Sequence, residues 1–219
     1  HATTPSLYSP TLKQFTLGGN AAAYGASTNS GIGYAYEFDN GLAFSSNIVS
    51  KQNKSSTNDG NKGFLTKENE HSWATQVGYT TERYSISGIV NMKYNGWKDE
   101  YFSTTNGFAR ASVSGSPASD STNIGLRAWL RPEEDGTVMP SISVGYDVSD
   151  VQYGADTVDQ TDMYFVGLGW ADIIQPDDKI GVAFGQPQTR EDETTDPFAW
   201  EAYYACLLYT SDAADDTRS

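Results

Sequence analysis

Arg127, Trp129 and Arg131 recur at every second position of one short stretch, TNIGLRAWLR. Side chains two residues apart in a strand point to the same face, so these three share a face opposite a row of aliphatic residues. Guanidinium groups attract anions and bind hydroxyl or phosphate oxygens, and an indole ring offers a flat surface for sugar stacking. The row is therefore a candidate binding surface. In the alternative interpretation, Arg131 pairs with Glu133 or Glu134 at the strand end, and Trp129 is wall packing.

The same alternation predicts four further charged side chains on polar strand faces. These are Glu37, Lys93, Asp147 and Glu201. Together with the arginine row, they are candidates to line a water-filled interior.

No group of residues forms a recognisable catalytic constellation. With 2 histidines and 1 cysteine, the chain cannot supply an ordinary His/Cys metal site. His71 lies in a polar stretch, and the acidic residues 133–135 lie in a tight turn, so we interpret both as solvated. We expect a protein that is not an enzyme and holds neither metal nor cofactor.

Composition narrows the possible classes of protein. The 219 residues include 21 glycines and 14 tyrosines, which favours strands and turns over helices. A net charge of −14 argues against nucleic-acid binding, which needs a basic surface. No apolar run reaches the length of about 18 residues that a membrane-spanning helix needs. Membrane β-strands are shorter and alternate, so a membrane β-barrel remains open.

The elements that position these residues are predicted as hairpins. GIGYAYEF and LAFSSNIVS alternate on either side of DNG, a strong turn signal. HSWATQVGYTTERYSISGIVNMKY is predicted as a second hairpin with a tight turn around Glu82, and Ile89 breaks its alternation by lying on the polar face. Pro140 cannot donate to a ladder, so the strand SISVGYDV is predicted to begin after it. A further hairpin is predicted with its turn at residues 175–178, and AWEAYY is predicted to begin another strand.

The connections are predicted to alternate between short turns and long polar loops. The long loops are assigned to residues 51–71, 95–121, 149–161 and 186–197. Such alternation, with an aromatic and aliphatic face opposite a small polar one, is typical of a transmembrane up-and-down β-barrel, which has one rim of tight turns. A soluble β-sandwich shares the strand pattern and is the alternative.

An acidic cluster lies in the last of these loops. It consists of Glu191, Asp192, Glu193 and Asp196. On a barrel it could attract cations at a pore mouth, or it could be a generic acidic loop.

Several motifs resemble the cyanobacterial branch of the carbohydrate-selective (OprB-like) porins, many of which are described as iron or inorganic-ion uptake porins. They are TLGGNAAAYG, GIGYAYEFDNGLAFS, GFLTKE, WATQVGYTTERYSISG, PSISVGYD, VGLGWAD, GVAFGQP and DPFAWEAYY. The resemblance covers residues 11–205. It implies an outer-membrane barrel of roughly 16 strands, of which this chain supplies nine or ten, and by analogy a homotrimer.

The last stretch, CLLYTSDAADD, resembles the conceptual translation of a transposase sequencing adapter. We therefore expect residues 1–205 to be a porin fragment, truncated at both ends and without the S-layer homology domain common in the family. Residues 206–219 are expected to be an adapter-derived artefact, so that Cys206 says nothing about the redox compartment.

Together these observations predict a porin of the cell outer membrane, in contact with lipid, through which small hydrophilic solutes diffuse passively. Sugars and inorganic ions, including iron, are both candidate solutes. The alternative function is that of a soluble or surface-attached β-sandwich that binds carbohydrate or acts as an adhesin.

Overall fold

The computed structural model describes residues 3–10, 12, 15, 21–24, 30–50, 64, 66, 69–95, 118–153, 157–190 and 197–206. These ranges contain one helical turn, α1 (Ala21–Tyr24), and nine strands. The strands are β1 (Ser30–Glu37), β2 (Leu42–Ser50), β3 (His71–Thr80), β4 (Tyr84–Tyr94), β5 (Ala118–Leu130), β6 (Ser141–Tyr153), β7 (Thr157–Ala171), β8 (Lys179–Arg190) and β9 (Ala199–Ala205).

Each strand pairs with its neighbours in sequence and runs antiparallel to them. The nine strands thus form a single sheet in the order β1 to β9, with β1 and β9 as its edges among the described residues. The predicted all-β, up-and-down antiparallel arrangement is confirmed at this level. Within the described ranges, no helix has the length and apolar character needed to cross a membrane.

Local sequence explains several of the strand ends. Gly41 has φ of +88°, and a Cβ there would collide with the Thr80 carbonyl oxygen, so the first hairpin turn requires glycine. The strand after Pro140 begins at Ser141, as the missing N–H predicts. The turn predicted at residues 175–178 lies between β7 and β8.

The predicted alternation of short and long connections is wrong in the second half of the sheet. Residues 149–161 were assigned to a long loop, but β6 extends to Tyr153 and β7 starts at Thr157. Val151 and Tyr153 are out of phase with the apolar row that ends at Val148, and the other residues there are mostly polar. The two segments nevertheless pair residue by residue from Ser149↔Thr161 to Tyr153↔Thr157. The ladder hydrogen bonds thus extend a hairpin that the side-chain pattern does not mark.

Other loop boundaries also shift, because strands continue into the polar stretches. β5 starts at Ala118 within the predicted loop 95–121, and β8 continues to Arg190. His71 is the first residue of β3, where its ring stacks on Tyr94 with centroids 4.7 Å apart, so it is not a solvated loop residue.

The two faces of the sheet differ in exposure. We call one the open face. Its exposed large apolar residues include Ile32, Tyr34, Trp73, Val77, Tyr79, Ile86, Leu126, Tyr146, Tyr164, Phe184, Trp200 and Tyr204. We call the opposite one the covered face. Its buried polar residues include Ser45, Gln76, Ser87, Asn91, Lys93, Asn123, Arg127, Ser143, Asp147, Thr161 and Glu201.

The covered face is buried by the amino-terminal part of the chain. Tyr8 and Phe15 pack with Met163, Phe165 and Ala183 in one apolar cluster. Ala23 and Tyr24 pack with Ile89 in a second one. The second cluster explains the apolar Ile89 on a polar face, since α1 lies above it.

Candidate functional site

The site is the contact between the covered face and the strap, by which we mean described residues 3–10 and 12. The strap crosses the strands. Thr3 lies against Gly78 of β3, Thr4 contacts Trp129 of β5, and Tyr8 lies against Gly167 of β7. It therefore spans the sheet from β3 towards β9.

Glycines on the covered face make room for the strap. A methyl group at Gly167 would lie 2.5 Å from Tyr8 Cγ, and one at Gly78 would lie 2.5 Å from Thr3 Cγ2. Both distances are shorter than any normal carbon–carbon contact. The backbone of the sheet therefore forms notches into which these two strap residues fit.

Side chains of the sheet bind the backbone of the strap. The Ser143 hydroxyl accepts hydrogen bonds from the N–H groups of Leu7 and Tyr8, at 3.0 and 3.2 Å. The Trp129 indole N–H donates to the Thr4 carbonyl at 2.9 Å. Because the strap has no strand partner, these side chains provide hydrogen bonds that its backbone would otherwise lack.

Glu201 of β9 is the acidic anchor of the strap. Its Oε1 accepts a 2.7 Å hydrogen bond from the Tyr8 hydroxyl, and its Oε2 accepts a 2.6 Å bond from the N–H of Leu12. Burial, then the hydrogen bond and charge of Glu201, raise the pKa of Tyr8 well above its ordinary value. The phenol therefore stays protonated and keeps donating to the carboxylate.

A buried ion pair lies at the centre of the covered face. The two terminal nitrogens of Arg127 donate to the two carboxylate oxygens of Asp147, each at 2.7 Å, and both side chains are 1–2% exposed. Arg127 lies opposite Gly145, and Asp147 opposite Gly125. The pair is therefore diagonal, and each glycine leaves space for the long side chain of the neighbouring strand.

Aromatic rings enclose the guanidinium group. Its carbon lies 4.9 Å from the ring centre of Tyr24 in α1 and 5.3 Å from that of Phe165 in β7. Both distances are within the range of cation–π attraction. Nη1 of Arg127 also donates to the Leu126 carbonyl at 2.8 Å. The charge of Arg127 is thus directed to Asp147 and to these rings.

The structure divides the predicted lining residues into two groups. Arg127, Trp129, Lys93, Asp147 and Glu201 are buried on the covered face, whereas Glu37 and Arg131 are exposed. For the five buried residues, the shared face predicted from strand alternation is the face on which the structure places them. Because they are buried, these side chains do not face open water. Among them, Trp129 and Glu201 contact the strap through Thr4 and Tyr8, and Arg127 contacts Tyr24 of α1.

At the end of the arginine row, Trp129 agrees with the alternative interpretation, but the predicted pairing of Arg131 with Glu133 does not form. Arg131 donates through Nε to the Glu82 carbonyl and lies over the Trp129 ring at 5.8 Å. Glu133 pairs instead with Arg83 at 3.5 Å, on the exposed rim. Trp129 is 6% exposed, which agrees with a packing role.

The acidic cluster of Glu191, Asp192, Glu193 and Asp196 lies outside the described residues. In the part of the chain that the structure describes, no three His, Cys, Asp or Glu side chains are grouped so that they could hold a metal ion.

Sequence reasoning missed the strap and its contacts with Ser143, Gly78 and Gly167. A usable signal was present, since glycine and serine recur on the polar face of almost every strand, as a face needs when something packs closely against it. The strap itself has no periodicity that marks it as the partner.

Comparison with known proteins adds no family assignment: no protein-family model, curated protein or solved structure matches this chain.

Proposed function

We propose that this protein is an outer-membrane porin, in which the covered face borders a water-filled channel and the open face contacts lipid. Small hydrophilic solutes would cross by passive diffusion. The proposal places the protein in the cell outer membrane.

The observation that carries the proposal is the inverted burial of the sheet. On the open face, Ile32 is 73% exposed and Leu126 is 52% exposed, whereas Asn123 and Arg127 on the covered face are 0% and 2% exposed. In water, a sheet-wide apolar surface is unfavourable, and monomeric soluble proteins rarely expose such large patches. In a bilayer the same surface is solvated by acyl chains.

The form of the sheet supports the same proposal. A tilted strand needs about 9–11 residues to cross a bilayer. β2 to β8 have 9 to 15 residues and meet this length, whereas the edge strands β1 and β9 have 8 and 7. The nine strands of the described residues lie in one sheet, whereas a β-sandwich needs two packed sheets. This favours the porin over the carbohydrate-binding sandwich.

Closure is a requirement of the proposal. β1 and β9 each have a single neighbour in the described sheet. Unpaired N–H and C=O groups are costly in lipid, so both edges must be paired in the membrane assembly.

The class of solute rests on the resemblance to carbohydrate-selective and ion-uptake porins and on the polar covered face. Hydroxyl, amide and paired charged groups on that face suit small hydrated solutes such as sugars or inorganic ions. Residue chemistry gives no preference between these two classes.

Tryptophan quenching by brominated lipids tests which face meets the membrane. One variant keeps only Trp73, which is 44% exposed on the open face, and a matched variant keeps only Trp129 on the covered face. The other tryptophans are replaced by phenylalanine. After reconstitution with lipids brominated on the acyl chain, we expect strong quenching of Trp73 and little quenching of Trp129.

Equal quenching of the two tryptophans would contradict the assignment of faces. A protein that stays in solution without detergent and shows no quenching at either position would favour the β-sandwich instead.

A further inference from the structure

The strap lies where a solute would have to pass. It contacts β3 through Thr3, β5 through Thr4, and β7 and β9 through Tyr8. α1 then lies above β4, β5 and β6. The amino-terminal part of the chain therefore crosses most of the face that, under the proposed function, borders the channel.

The strap is attached by specific hydrogen bonds in addition to the apolar packing of Tyr8. Three backbone N–H groups, those of Leu7, Tyr8 and Leu12, donate to side chains of Ser143 and Glu201. Tyr8 is fixed at both ends, because its ring fits against Gly167 and its hydroxyl binds Glu201. An element held in this way has one position on the sheet.

The strap carries no formal charge. Residues 3–10, TTPSLYSP, contain no acidic or basic side chain, and the exposed side chains among them are the hydroxyls of Thr4 and Ser9. Underneath, Arg127 and Asp147 neutralise each other. The strap itself therefore offers hydrogen bonds and no formal charge to a passing solute.

We propose that the strap is the size-limiting element of the pore and that Glu201 and Gly167 are the residues that set its position. The inference rests on the proposed function. It adds that solutes are selected at the strap by size, and that small neutral polyols are admitted where larger ones are excluded.

Two variants release the strap in different ways. Glu201→Ala removes both acceptors that bind Tyr8 and Leu12, and Gly167→Val fills the notch that Tyr8 occupies. Gly88→Ala is the matched control, because a methyl group there lies at an ordinary 3.4 Å from Leu126 on the open face, away from the strap.

Two measurements are made on each protein. Hydrogen exchange at the amides of Leu7, Tyr8 and Leu12 reports docking of the strap, and exchange in β4 reports folding of the sheet. Liposome swelling with glycerol, arabinose and raffinose reports the size limit. We expect wild type and Gly88→Ala to protect the strap amides, admit glycerol and exclude raffinose. Both release variants should lose that protection, keep protection in β4, and admit raffinose.

The outcomes separate this inference from the proposed function. A wild type that admits no solute would overturn both. A wild type that admits glycerol but not raffinose, with variants that release the strap and keep the same limit, would overturn only the role of the strap. Unprotected strap amides in the wild type would overturn docking itself. If Glu201→Ala also loses protection in β4, Gly167→Val gives the decisive result, because it changes no buried charge.

Discussion

Arg127 and Asp147 show how a buried charge is tolerated on the covered face. Removing an ion from water costs several kcal/mol, which the partner recovers only when geometry and hydrogen bonding are good. Here both carboxylate oxygens and both terminal guanidinium nitrogens are used, each at 2.7 Å. Strand alternation alone predicts that Arg127 is a charge that attracts anions. In the structure its charge is neutralised by Asp147.

Replacing Arg127 should destabilise the protein rather than change only its charge selectivity. Arg127→Ala leaves Asp147 buried without its cation, at a cost of about 3–5 kcal/mol in the free energy of unfolding. Urea unfolding of the detergent-solubilised protein measures this. The double variant Arg127→Met, Asp147→Leu should recover most of the loss, since it removes both charges.

Arg83→Ala is the matched control for this prediction. Its pair with Glu133 is 3.5 Å long, and the two side chains are 51% and 82% exposed. Solvent screens such a pair, so the loss should be about 0–1 kcal/mol. A larger loss from Arg83→Ala than from Arg127→Ala would refute the assigned role of the buried pair.

Among the elements, the turn between β7 and β8 is organised around one carboxylate. Asp178 accepts hydrogen bonds from the N–H groups of Ile173, Ile174 and Gln175, at 2.9, 2.9 and 3.1 Å. Burial acts to raise the pKa of Asp178, but these bonds outweigh it and lower the pKa below its ordinary value of 3.8. The ionised form therefore stabilises the turn.

The lowered pKa predicts acid sensitivity of this turn. Above the ordinary value the stabilisation is complete, and it is lost as the pH falls through the lowered pKa, because the unfolded chain takes up the proton first. Asp178→Asn does not titrate, so its stability should fall less than that of the wild type between about pH 5 and pH 2. Thermal unfolding at a series of pH values tests this, and an equal loss in both proteins would contradict it.

At the scale of the whole molecule, a charged side chain on the open face should be destabilising if that face contacts lipid. Leu126 is 52% exposed in the second half of β5. An arginine at the bilayer midplane costs about 2–4 kcal/mol, so Leu126→Arg should lower the fraction that folds into lipid vesicles. Leu126→Met, which conserves volume and polarity, should fold like the wild type. Gel mobility with and without heating measures the folded fraction.

Normal vesicle folding of Leu126→Arg would show that this face does not lie in hydrocarbon. That result would remove the physical support for the porin proposal while leaving the fold unchanged.

Much of the sheet follows from the sequence, because its causes are local. Side chains alternate in every strand, so Leu126 and Arg127 must lie on opposite faces whatever the rest of the chain does. The position of Gly41 in a turn and the strand start after Pro140 depend only on the steric properties of those residues. Within a hairpin such as β1–β2 or β3–β4, strand order also follows, since a short connection joins antiparallel neighbours.

The tertiary structure decided what the covered face contacts. The Arg127–Asp147 pair depends on the register of β5 and β6, which places Arg127 opposite Gly145 and Asp147 opposite Gly125. The length of the β6–β7 hairpin depends on ladder hydrogen bonds that polar side chains do not encode. Tyr8 contacts Gly167 and Glu201, which lie more than 150 positions away from it in the sequence. Contacts of this kind arise only when distant segments meet in space, so no local pattern of spacing or alternation specifies them.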